Sequence, residues 1–269
     1  MSWAEIEKAF NRALFLSFSK KKFALAFPVL VLCGILFVFC RALGLEASNW
    51  VSLSLTFLPI LLSSGILLAL GVLLIRIYVH ESKQLTLSVR RLFGASLDMM
   101  IGTSYLSIPP VLAYLCLWVL MGIFFLLAEI PGIGGFFSVI FSFAPFLLIF
   151  GALVLCLFNL GLLFFVAPAA ALQPLKRVSL AKRVFHGFAR RMFSSLVLFV
   201  IALIPIALVG GMLCMAAEMT NIRFLISEKS LGVALEWFFI MLPFAALIAP
   251  PVVFFFQFAA EAHNLLHPQ

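Results

Sequence analysis

Six long stretches that are almost free of charge constrain this chain more than any other feature. They run roughly over Phe23–Cys40, Trp50–Ile75, Met99–Ala128, Phe146–Leu172, Met192–Ala217 and Trp237–Phe258. In hydrocarbon, every backbone N–H and C=O must find its partner inside the segment, so about 20 apolar residues in a row become a bilayer-spanning helix. A water-soluble alternative fails on composition. With 65% hydrophobic and 10% charged residues among 269, the chain has less than half the roughly one-quarter charged content of soluble domains. The fold class expected is therefore all-α: a polytopic membrane helix bundle of six transmembrane helices, forming a single membrane domain over residues 1–269.

The stretch from Ile130 to Leu175 lacks any charged residue and is long enough for two spans. Basic residues decide the count. Two spans there would place Lys176, Arg177, Lys182, Arg183, Arg190 and Arg191 on the side of the loop at Glu129, which has no Lys or Arg. One span is therefore expected. Pro131-Gly132-Ile133-Gly134-Gly135 then makes the turn, and Phe136–Phe143 lies at the interface or dips in as a short re-entrant piece. Six spans put 15 of the 18 Lys and Arg on one side and leave Arg41, Arg223 and Lys229 on the other. This positive-inside asymmetry assigns both termini to the cytoplasm of a multi-pass protein in the plasma (inner) membrane. The net charge of +8 is thus read as topology rather than nucleic-acid binding. Cleavage of a leader ending near Ala42-Leu43-Gly44 is not expected, because so long a leader is unusual and Val38-Phe39 is too bulky for a lipoprotein box before Cys40.

Three basic segments precede the odd-numbered spans, and each has helical periodicity. In the first, Trp3, Ile6, Phe10, Ala13 and Leu14 share a face; in the second, Leu85, Val89, Leu92 and Phe93 do so. In the third, Val178, Ala181, Phe185, Phe188 and Met192 form one stripe, and Lys176, Lys182, Arg183, His186 and Arg190 another. Such basic amphipathic interfacial helices lie among headgroups, with their cations on anionic phosphates. Lys176, Lys182, Arg183 and Arg190 are the candidate lipid-headgroup contacts, so the partners expected are the bilayer, its anionic lipids at the cytoplasmic face, and membrane proteins, but not nucleic acid. The order of amphipathic helix, span, outer turn and span also divides the chain into three helix-pair units, 1–79, 80–172 and 173–269.

Phe165-Val166-Ala167-Pro168, followed by Gln173-Pro174 and the basic stretch Lys176–Arg191, resembles six-helix bacterial membrane-protein families related to the membrane domain of certain glycerophosphodiester phosphodiesterases. The resemblance is one of layout and hydropathy. Those enzymes hold their catalysis in a separate soluble domain with no counterpart here, so the likeness implies the layout and carries over no activity.

Catalytic chemistry has little to stand on. His80, His186, His263 and His267 lie at span edges without H-E-x-x-H spacing, and Gly132–Gly135 has neither the Lys nor the preceding strand of a phosphate loop. The five cysteines match no zinc or redox pattern. No catalytic residue, metal ligand or cofactor is expected. Ser63 and Ser64 are read as bonding backbone carbonyls, and Gly65 with Ala69 as a small-xxx-small contact. Asn159 is the one strongly polar side chain near mid-span and the candidate intramembrane polar site, read first as an interhelical hydrogen bond. The function expected is that of a non-enzymatic scaffold, assembly or accessory subunit. The alternative is a small permease for a lipidic or apolar solute, with helices broken at Pro109-Pro110, Pro205, Pro243 and Pro250-Pro251.

Overall fold

The computed structural model describes residues 3–45, 47, 49–82, 89–132, 134–172, 192–219 and 230–266. These form α1 (Trp3–Ser17), α2 (Lys20–Leu43), α3 (Asn49–Ser82), α4 (Val89–Ser104), α5 (Ile108–Ala128), α6 (Gly134–Ile140), α7 (Ala144–Leu172), α8 (Met192–Met219) and α9 (Ser230–Leu266). No strand occurs among the described residues. Six stretches are long and apolar enough to cross a bilayer: Lys20–Leu43, Val51–Ser82, Ser96–Ala128, Ala144–Leu172, Phe193–Met219 and Ala234–Leu266. Each coincides with one expected run. α3 and α9 continue past the apolar part by about two turns, which carries Tyr78, Glu81 and Glu261 to one end of the bundle, next to Gln257 at the edge of the last run.

Between Ile130 and Leu172 there is one long span, as the count of basic residues predicts. Pro131 and Gly132 turn the chain, with Gly132 at φ +93°, a conformation that a residue with a Cβ rarely adopts. Gly134 then donates its N–H to Ile130 O at 2.7 Å, and a Cβ there would lie 2.3 Å from Ala128 O. The short α6 packs back on α5, and one 3₁₀ turn, Phe141–Phe143, leads into α7.

The third span departs from a simple helix. Its α4 and α5 are joined by a 3₁₀ turn at Tyr105–Ser107, immediately before Pro109 and Pro110. Neither proline has an N–H for the carbonyl four residues back, and each ring crowds that carbonyl, so the α-helical ladder is interrupted there. Elsewhere the prolines are tolerated: Pro28, Pro59, Pro168, Pro205, Pro243, Pro250 and Pro251 all lie inside continuous helices.

α3 is the central helix. In its most apolar 18 residues 67% are buried, against 11% for α2, and it packs against α2, α4, α5, α7 and α9. Glycines set the closest approaches: Gly71 faces the Phe256 ring and Gly65 faces Ser107 Oγ, so that a Cβ would stand 2.3 and 2.6 Å away, respectively. Gly65 thus marks a tight contact, as its small-residue spacing implies. Two apolar clusters fill the interior. One joins Leu61 on α3 to Tyr114 and Met121 on α5 and to Leu148 and Ala152 on α7. The larger one joins α1, α3, α7, α8 and α9 through residues such as Leu74, Phe164, Leu198 and Phe254. The flanks carry exposed Leu32, Phe146, Leu157 and Leu208, a surface suited to hydrocarbon.

Candidate functional site

The most polar interior region lies where α1, α2, α3 and α9 converge. α2 begins at Lys20, and its first turn points Lys22 inward, on the same face as Ala26, while Lys20 and Lys21 stay exposed. Lys22 has no exposed surface at all. Its Nζ lies 2.6 Å from Glu81 Oε2, donates to Leu16 O at 3.1 Å, and sits 5.5 Å from the centroid of the Tyr78 ring. The Gln257 amide completes the shell: Oε1 accepts from Lys22 Nζ at 3.1 Å while Nε2 donates to Ala13 O at 3.0 Å. That orientation satisfies donor and acceptor alike.

A second pair adjoins the first. Tyr78 Oη donates to Glu261 Oε1, and Arg12 Nη1 lies 3.4 Å from the same oxygen. Two cations and two carboxylates therefore balance; Lys22 is the one of the four that has left water entirely, at a cost that its carboxylate partner offsets. Local spacing explains how the groups meet. Tyr78 and Glu81 are three apart on α3, and Gln257 and Glu261 four apart on α9, so each pair shares a helix face. Leu16 O, one of the last four carbonyls of α1, has no N–H partner within its own helix; Lys22 supplies one, Gln257 adds a second donor to Ala13 O, and the Lys22 cation also meets the negative end of the α1 dipole. Chemically the arrangement is a neutral lock: it caps α1 and ties four helices together.

α1 is a helix, as its periodicity predicts, but its faces are used differently from the expected stripe. Ala9, Ala13 and Ser17 are buried, and Phe10 meets Phe254 and Phe258 edge-on at 5.0 and 6.1 Å. Ile6, Phe10 and Ala13 of that stripe face the core, while Trp3 and Leu14 at its edge are exposed.

Asn159 is buried, on α7 between the two apolar clusters, and neither amide atom has a hydrogen-bond partner among the described residues. The interhelical bond expected of it is thus not seen there. Ser64 does bond a backbone carbonyl, Leu61 O, at 2.6 Å. Thr103 and Ser107 likewise turn back to Met99 O and Ser104 O, both at 2.7 Å. Lys176, Lys182, Arg183 and Arg190 lie outside the described residues. Sequence reasoning passed over Lys22, Glu81 and Glu261; the polar pairs at helical spacing on the ends of α3 and α9 were the available signal. Among the described residues no three His, Cys, Asp or Glu side chains converge as metal ligands would. No protein family, curated protein or solved structure matches this chain.

Proposed function

We propose that this chain is a non-enzymatic integral membrane protein, with both termini in the cytoplasm of a plasma (inner) membrane, that acts as a scaffold, assembly factor or accessory subunit. The observation that carries this reading is the filled interior around α3, where Leu68, Leu70, Val72, Leu73, Leu74 and Ile75 are all buried in apolar contact. Among the described residues the polar groups buried at mid-bundle include hydroxyls bonded to backbone carbonyls, Ser64 on its own helix and Tyr114 across to Ser54 O on α3, together with the amide of Asn159, and the buried charge of Lys22 is paired with Glu81 at one end. Uninterrupted helices through Pro205, Pro243, Pro250 and Pro251 remove most of the broken segments from which a permease would build its site. The basic segments serve, in this reading, to hold anionic lipids at the cytoplasmic face, and the layout likeness to six-helix bacterial membrane families is in keeping with it.

The test has two arms. Crosslinking with mass spectrometry in native membranes should capture the same membrane-protein neighbours in repeated preparations, while purified protein in proteoliposomes should move no lipidic or apolar solute. Reproducible uptake by the purified protein would overturn the scaffold reading and put the permease first.

A further inference from the structure

α1 is held differently from the spans. It packs along α9, and what it buries fully is small: Ala9, Ala13 and Ser17. Ile6, Phe10 and Leu16 pack against the core but stay only partly buried, so the apolar area that docking removes from water is modest, and the hydrophobic gain scales with that area. In the same position it seals Lys22 completely from solvent, a desolvation that Glu81, Leu16 O and Gln257 Oε1 must offset. A helix with a small buried face and a costly buried ion beneath it belongs at the low end of local stability.

The opposite side of α1 is not inert. Trp3, Leu14 and Phe15 are exposed away from the buried face, as is Phe18 just beyond the helix end, and the exposed Lys8, Lys20 and Lys21 outnumber the exposed Glu5 and Glu7 nearby. Aromatic residues with Lys beside them are what bind a helix into the headgroup region of an anionic bilayer. The link to α2 is two residues, Phe18 and extended Ser19 at φ −70°, ψ 124°, enough for a hinge.

We propose that α1 is a releasable strap with two resting places. Docked on α9, it closes the inner end of the bundle over Lys22 and Gln257; released, it lies on an anionic membrane surface and uncovers them. This goes beyond the scaffold reading and holds whether or not a protein partner is found.

The experiment uses the full chain in nanodiscs, with the five native cysteines replaced by alanine and one reporter cysteine introduced. Ser17→Cys is nearly isosteric and buried on α1; Ala171→Cys is buried in the last turn of α7, away from the Lys22 ion cluster. Labelling by a membrane-impermeant maleimide should be at least about tenfold faster at position 17 than at 171, and faster in anionic than in zwitterionic lipid. Adding Gln257→Leu should speed labelling at 17 by a further factor of about five, the shift that one net hydrogen bond produces, and leave 171 unchanged. Equal protection at both positions, indifference to lipid charge, or acceleration of both together by Gln257→Leu would each overturn the strap.

Discussion

Lys22 and Asn159 are both buried polar residues, yet opposite outcomes follow from removing them. Glu81→Gln leaves the Lys22 ammonium sealed with only neutral acceptors, whereas Lys22→Met leaves a carboxylate that is 34% exposed and can rehydrate. Glu81→Gln should therefore cost about 3 kcal/mol, the low end for breaking a buried pair from one side, and Lys22→Met less. In thermal unfolding of detergent-solubilised protein the double variant should lose less than the two single losses combined, because the groups are in contact. Asn159→Leu should instead raise stability by about 1 kcal/mol, since an amide buried without a partner among the described residues forfeits its hydration. A loss of similar size would show that the amide is bonded in the membrane. Asn159 was legible as a buried polar residue because an apolar run shows its exceptions; Lys22 was not. It stands in a run of three lysines at a span edge, where charge normally sets orientation, and its burial depends on α1 folding back over it.

Elements were the most legible level, because a helix in hydrocarbon is dictated by run length and owes little to its neighbours. Their ends were less so: α3 and α9 outrun their apolar cores, and Tyr105–Ser107 breaks the third span for a reason that Pro109 and Pro110 announce but do not locate. Helix pairing was the least legible, since a small residue allows contact without naming the partner. Gly71 shows the point and permits a test. Gly71→Ala drives a methyl group into the buried Phe256 ring on α9 and should cost about 1–3 kcal/mol, as overpacking does. Gly161→Ala in α7 meets nothing within 4 Å and should gain up to about 1 kcal/mol from helix propensity. Melting temperatures of the two variants in one detergent should therefore move in opposite directions.

For the whole molecule the 15 to 3 division of Lys and Arg predicts the sidedness of every loop. Reporters fused after Gly44, Gly134 and Ser227 should read outside, and those after Gln84, Ser179 and Gln269 inside. An inside reading at Gly134 together with an outside reading at Ser179 would sink the six-span topology. That Arg12 and Glu261 meet at one end is in keeping with an even number of crossings. The same pair also says something about biogenesis. Arg12 leaves the ribosome 249 residues ahead of its carboxylate partner. Until then Phe10 has neither Phe254 nor Phe258 to rest on, and Lys22 lacks its Gln257 acceptor. α1 must wait beside the membrane while every helix between it and α9 is made, and α9 is the one that brings it in.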